Sequence, residues 1–175
     1  MVEAIVDLHR TVINGIEITA AVPPTSLWAV LGQPDRIVDP APRAPYGHRN
    51  NQVHVYDLLG LYLHEHHFTG LISGMVFVFW PEEEGFEFTP AHPFPGRLLL
   101  GDYEVPPAAL ESELISRSRL PFRPVLAGHS RARSERFSAG ISAKGARTAS
   151  GGRSARRRVV GIDVAWPHDP WHRNP

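Results

Sequence analysis

Apolar and polar positions in this chain alternate in short runs, with few long helical periods. Val53-His-Val-Tyr56 alternates and is rich in β-branched and aromatic residues, so it predicts a strand. Leu58 to His67 predicts a second strand, and Thr69-Gly70 supplies a turn. Leu71 to Trp80, with the nearly unbroken run Met75-Val-Phe-Val-Phe-Trp80, predicts a third that is buried on both faces or central in its sheet. Earlier, Asn14-Gly15 between β-branched residues is a hairpin signal, because both positions of a primed turn take positive φ. Gly101-Asp102 has matching turn chemistry. A short helix follows each hairpin. In the first, Thr25 or Ser26 is the expected cap, Leu27, Val30 and Leu31 form one apolar face, and Gly32 and Pro34 end it. The second is expected over about 108–116, with Leu110 and Leu114 four apart.

The two hairpin–helix patterns recur at an offset of 87, about half of the 175 residues. At that offset Arg10 meets Arg97, Glu17 meets Glu104, Leu27 meets Leu114, Pro34 meets Pro121, Arg36 meets Arg123 and Gly74 meets Gly161. The expected fold is therefore α+β: an antiparallel β-meander with a short helix packed on one face, in two tandem ββαβββ-type repeats. The first repeat spans about 1–95 and the second about 96–175. The second reads as incomplete, because residues 128–158 break the pattern. Phe137 and Ile141 are the only large apolar residues there, and the segment is dominated by Ala, Arg, Gly and Ser. That composition predicts disorder and no half-buried strand pair, with strands resuming at Val159.

Composition narrows the functional classes. There is no cysteine, which excludes disulfides, thiolate metal sites and cysteine nucleophiles. No apolar run reaches the ~20 residues of a membrane-spanning helix. The N-terminus shows no signal-peptide pattern, so a cytoplasmic location is expected. Of 18 basic residues 17 are Arg, and with 17 Pro and 15 Gly this is the usage expected of a GC-rich bacterial genome. The net charge of zero conceals a split: residues 1–116 carry 5 basic and 15 acidic side chains, whereas 117–175 carry 13 basic and 3 acidic.

Leu27-Trp-Ala-Val-Leu-Gly-Gln-Pro-Asp-Arg-Ile37, followed by strands, resembles the helix–LGxP–strand motif of the β-lactamase-inhibitor-like and outer-membrane-assembly lipoprotein folds. Ile13-Asn-Gly-Ile-Glu-Ile18, Val55-Tyr-Asp-Leu-Leu-Gly-Leu-Tyr-Leu63 and Thr69-Gly-Leu-Ile-Ser-Gly74 extend the likeness over about 10–106 to an uncharacterised bacterial α+β domain family. The resemblance implies fold and carries no catalysis. It implies a protein-binding role, including immunity proteins that act beside bacterial toxins. The lipidated cysteine of the lipoproteins is missing.

Three functions compete. The expected one is a non-enzymatic binding protein with a protein partner and no cofactor, in which the acidic first half meets a basic surface. The second is polyanion or nucleic-acid binding through Arg153, Arg156, Arg157 and Arg158, since guanidinium pairs well with phosphate. Only one aromatic residue, Phe137, is interleaved with the basic residues of 128–158, so no stacking platform is built. The same stretch also fits a plain flexible loop, or a frameshifted segment of GC-rich DNA. The third is a metal-dependent enzyme. His64 and His66 share a strand face by alternation, and His54 from the neighbouring strand is the candidate third ligand. The competing account of His64-Glu-His-His67 is a solvated strand end. Glu82-Glu83-Glu84 fits a solvated loop, and Asp57 a turn.

Overall fold

The computed structural model describes residues 1–39, 52–84, 86–126, 128–134, 137–147 and 153–166. Strands β1 (Glu3–Val6), β2 (Thr11–Ile13) and β3 (Ile16–Ile18) lead into helix α1 (Pro24–Leu31). Strands β4 (Arg36–Val38), β5 (Gln52–Tyr56), β6 (Leu61–Glu65) and β7 (Ile72–Val78) follow, then the single turn of helix α2 (Pro81–Glu84). A second hairpin, β8 (Arg97–Leu100) and β9 (Tyr103–Glu104), precedes helix α3 (Glu111–Arg117). The chain continues through β10 (Arg123–Leu126), β11 (His129–Arg133), β12 (Ser138–Arg147) and β13 (Arg153–Ala165).

The strands form two sheets. The large one is antiparallel throughout, in the order β10-β11-β12-β13-β7-β6-β5-β4. It consists of two meanders that meet at β7 and β13, where Val76 lies opposite Asp163. The small sheet, β3-β2-β1-β8-β9, gathers both hairpins and contains a parallel pair, β1 with β8. So the hairpins leave the meander and make their own layer, which the linear pattern did not foresee.

One buried cluster joins the layers. Ala4, Val6 and Ile13 of the small sheet share it with Leu61, Leu63, Met75, Phe77, Ile162 and Val164 of the large sheet. Leu27 of α1 and Leu114 of α3 belong to the same cluster. Trp166 is tied to the small sheet: its buried Nε1–H donates to Thr11 Oγ1 at 3.1 Å. The face of the large sheet that looks into this cluster is the inner face, and its opposite is the outer face.

Local chemistry accounts for the elements. Asn14 (φ 49°) and Gly15 (φ 83°) occupy the turn between β2 and β3, as a primed turn requires. Helix α1 begins earlier than expected. Pro23 is its N-cap and Pro24 opens the first turn, so Thr25 and Ser26 lie inside the helix and do not cap it. A proline is well placed there because it has no N–H to leave unpaired and its φ is already helical. Gly32 ends the helix at φ 87°, its N–H donating to the Trp28 carbonyl, as the Leu-Gly-Gln-Pro run predicted. The apolar run before Trp80 is β7, with Met75, Phe77 and Ile72 facing inward and Val76 and Val78 outward. Asp57 does more than turn the chain. Its carboxylate accepts from Arg36 Nε at 3.0 Å and from the Ala91 N–H at 2.8 Å, so it ties β4 to the 86–96 loop. The Arg36 hydrogen bond holds that carboxyl below its usual pKa.

The α+β expectation holds in its coarse form, as mostly β-sheet with short helices. The disorder expected for 128–158 does not hold for the described residues of that stretch; residues 135, 136 and 148–152 lie outside them. β11, β12 and the start of β13 occupy this stretch, so the second half is not an incomplete meander. The period of two is present but is carried by small residues: Ser130, Ala132, Ala139, Ile141 and Ala143 are buried, with Arg131 and Ser142 between them and Lys144 following. Small apolar side chains register weakly in a hydrophobicity pattern, yet they are sufficient where both backbone edges are paired. Glu82 lies in helix α2 and not in a loop. No helix among the described residues is long and apolar enough to cross a membrane.

Candidate binding groove

The outer face of the large sheet carries a groove of about 620 Å³ that crosses the junction of the two meanders. Its floor is made by Gly74 and Val76 of β7 and by Asp163 and Ala165 of β13. Strand alternation places these residues on one face, because Val76 and Asp163 are direct cross-strand partners.

The wall from the first half is aromatic. Tyr62 and His64 project from β6, their rings edge to face at 5.3 Å between centroids. Phe88 packs edge-on against Tyr62 at 5.1 Å and stacks parallel with Phe86 at 5.2 Å. Phe86 lines the groove and remains 41% exposed. Burial pushes the His64 imidazole below its ordinary pKa, so it is neutral at pH 7. The floor beneath this wall rests on a separate buried cluster of Val53, Val55, Tyr62, Val76 and Val78.

The wall from the second half is polar and basic. Arg131 and His129 come from β11, and Ser142 and Lys144 from β12. Arg131 Nη2–H donates to Asp163 Oδ2 at 3.1 Å. Burial pushes the Asp163 carboxyl above its usual pKa, while Arg131 and then His129 pull the other way. Ser142 Oγ and His129 Nδ1 are 3.2 Å apart. Asp163 lies over Gly140, its cross-strand partner in β12, so closely that a Cβ there would overlap the carboxylate.

The sequence candidates are distributed differently. His64 is in the groove, but His54 lies on the inner face, opposite Leu63. There Trp28 Nε1–H donates to His54 Nδ1 at 3.3 Å, which leaves Nε2 as the N–H that reaches Glu65 Oε2 at 2.7 Å. So His54 and His64 cannot share an ion, which corrects the three-histidine arrangement. His66 follows the end of β6, after a register shift at His64/Glu65, and stacks with His67. No group of three metal-ligating side chains occurs among the described residues. Arg157 Nη1 is 3.5 Å from Glu111 of α3, and the Arg158 guanidinium lies 3.6 Å over the Trp80 ring. Arg153 and Arg156 stand in β13, and their side chains lie outside the described residues. Residues 167–175 also lie outside them.

Sequence reasoning missed Arg131, Lys144, Phe86 and Asp163. Asp163 had a visible signal, a lone carboxylate inside the apolar run Gly161-Ile-Asp-Val-Ala-Trp166. The others became site residues only through strand pairing across the chain's midpoint.

No curated protein and no solved structure matches this chain. A family model described as a domain of unknown function, DUF7738, matches residues 5–114. That span contains the aromatic wall and the β7 floor, and it ends before β11, β12 and β13 supply the basic wall. By that match over more than half its length, the chain belongs to the DUF7738 family.

Proposed function

We propose that this is a non-catalytic binding protein with a protein partner, which seats in the groove on the outer face of the large sheet. One observation carries the reading: a single open groove pairs an aromatic wall (Tyr62, Phe86) with a basic one (Arg131, Lys144). The acidic surface of the first half weighs less. Glu3 and Glu104 are paired with Arg97, Asp7 and Glu17 with Arg10, and Asp57 with Arg36. Polyanion binding loses support as well, because Arg157 and Arg158 already engage Glu111 and Trp80.

The test is capture by the immobilised full chain from its native lysate, compared with Phe86→Ala and Lys144→Glu. A specific protein held by the wild type is lost from both variants, and is kept by an Arg117→Glu control on α3. Equal capture by the groove variants overturns the reading. An immunity-type role is the finer form of it, and co-expression with a neighbouring toxin-like gene tests that: protection of growth lost with Lys144→Glu supports it, and unprotected growth removes it.

The two halves also read as copies of one unit in a bacterial chain. In support, the offset of 87 carries α1 at 24–31 onto 111–118 around α3, and β4 at 36–38 onto 123–125 within β10. It also carries Val76 onto Asp163, the pair that meets at the junction of the two meanders. A pseudo-two-fold between β7 and β13 requires a residue to face its own copy there. In an experimental structure one rotation near 180° superposes the halves; a rotation far from that ends the idea. The coding DNA decides the reading frame of 128–158: an alternative frame encoding alternating apolar strands would mark the segment as shifted.

A further inference from the structure

We propose that the groove recognises an acidic peptide segment bearing an aromatic side chain, an inference that rests on the groove being the partner surface. Charge comes first. Lys144 is exposed and has no ion pair among the described residues. The Arg131–Asp163 pair engages one guanidinium N–H, and a guanidinium offers five in a planar fork that suits a second carboxylate. His129 adds an imidazole to the same wall. Among the described residues Asp163 is the only carboxylate lining the groove, and its charge is already met by Arg131. The unmatched charge in the groove is therefore positive.

The opposite wall sets the second requirement. Phe86, exposed by 41% and stacked on Phe88, presents ring surface where a partner ring gains edge or stacked contact, and the buried Tyr62 backs it from β6. The neutral His64 beside them adds no charge to that wall. Between the walls the floor is low, because Gly74 and Ala165 have little or no side chain. An extended segment fits such a floor. A nucleic-acid strand fits less well, since Asp163 lies mid-floor and tight phosphate binding needs many cations.

Fluorescence anisotropy with the full chain tests this, using labelled pentapeptides Glu-Glu-Phe-Glu-Glu, Lys-Lys-Phe-Lys-Lys and Glu-Glu-Ala-Glu-Glu, and a labelled oligothymidine. The acidic aromatic peptide is expected to bind about ten-fold tighter than the other two peptides, and less tightly as salt rises. Lys144→Glu should weaken it by about ten-fold, with Arg117→Glu, equal in charge change, leaving it unaltered. Thermal melts verify that the variants are folded. Equal binding of the basic peptide, or no effect of Lys144→Glu, overturns the charge rule, and tighter binding of the oligothymidine overturns the peptide in favour of a polyanion. If both aromatic peptides bind equally and Phe86→Ala abolishes both, the groove stands and only its charge preference falls. If no probe binds, the acidic-aromatic rule falls, and the capture experiment decides separately whether the groove is the partner surface.

Discussion

The two meanders of the large sheet have the same strand order and very different side chains. On the inner face the first is lined by Leu61, Leu63, Met75 and Phe77, the second by Ala132, Ala139, Ile141 and Ala143. All eight are buried. Strand formation therefore follows alternation and backbone pairing, whereas side-chain size sets how closely the next layer can approach. Where the inner face is small, Ser130 Oγ–H reaches Glu111 Oε1 of α3 at 2.8 Å, and the Ala109 carbonyl accepts from the Val159 N–H. The large-residue half derives its stability from apolar area and the small-residue half from close backbone contact.

Truncation tests the packing of both halves with the largest expected losses. Phe77→Ala, in the middle of β7, should cost about 3–5 kcal/mol by lost burial and the cavity left behind. Ile141→Ala, the one large inward residue of β12, should cost about 2–4 kcal/mol. Urea unfolding monitored by tryptophan fluorescence gives both. If Ile141→Ala costs less than 1 kcal/mol, a scale at which a buried methylene deletion is ordinarily felt, β12 is not packed as described.

Enlargement sharpens the contrast from the other side. Ala139→Leu should destabilise by about 1–3 kcal/mol through overpacking, whereas Leu63→Met in the first half should cost under about 1.5 kcal/mol. Gly140→Ala should cost about 1–3 kcal/mol, because the new methyl meets the Asp163 carboxylate. Much of that loss should vanish in an Asp163→Ala background, and the coupling in the double-mutant cycle is the diagnostic quantity. Additive losses would place the strain elsewhere.

The same contrast explains what could be read from the chain. β5, β6 and β7 were visible because Val, Tyr, Leu and Phe alternate or run unbroken there, and the β2–β3 hairpin because Asn14-Gly15 has one main structural use. β11 and β12 were hidden because Ala, Ser and Gly carry their buried positions and Arg fills the gaps, a composition shared with disordered segments. The parallel pairing of β1 with β8 joins residues 94 apart and leaves no local signal. The groove was half legible. His64 stands out by its His-x-His spacing, but His54 lies on the opposite face of the sheet, and Asp163 is a polar break in an apolar run. Arg131 and Lys144 acquired meaning only once the second meander was in place.

The smallest effect expected is in the pH dependence of stability, and it separates the walls of the groove. Burial lowers the His64 pKa, so the unfolded chain takes up this proton more readily than the folded one. Its contribution is full above the ordinary histidine pKa of about 6.5 and is lost as pH falls from there toward the lowered native value. Burial raises the Asp163 pKa, so the sign reverses. The ionised carboxylate carries a penalty that is relieved as pH falls through the native value toward the ordinary 3.8. Thermal melts should therefore show His64→Gln losing less stability than wild type between about pH 7 and about pH 5.5. Asp163→Asn should lose more than wild type over the next stretch toward acid, because it lacks the relief. Asp57, held low by Arg36, is common to all three proteins and cancels in the differences. Parallel curves for His64→Gln and wild type would mean that the imidazole is as well solvated in the groove as in the unfolded chain, and the aromatic wall would then be open to water.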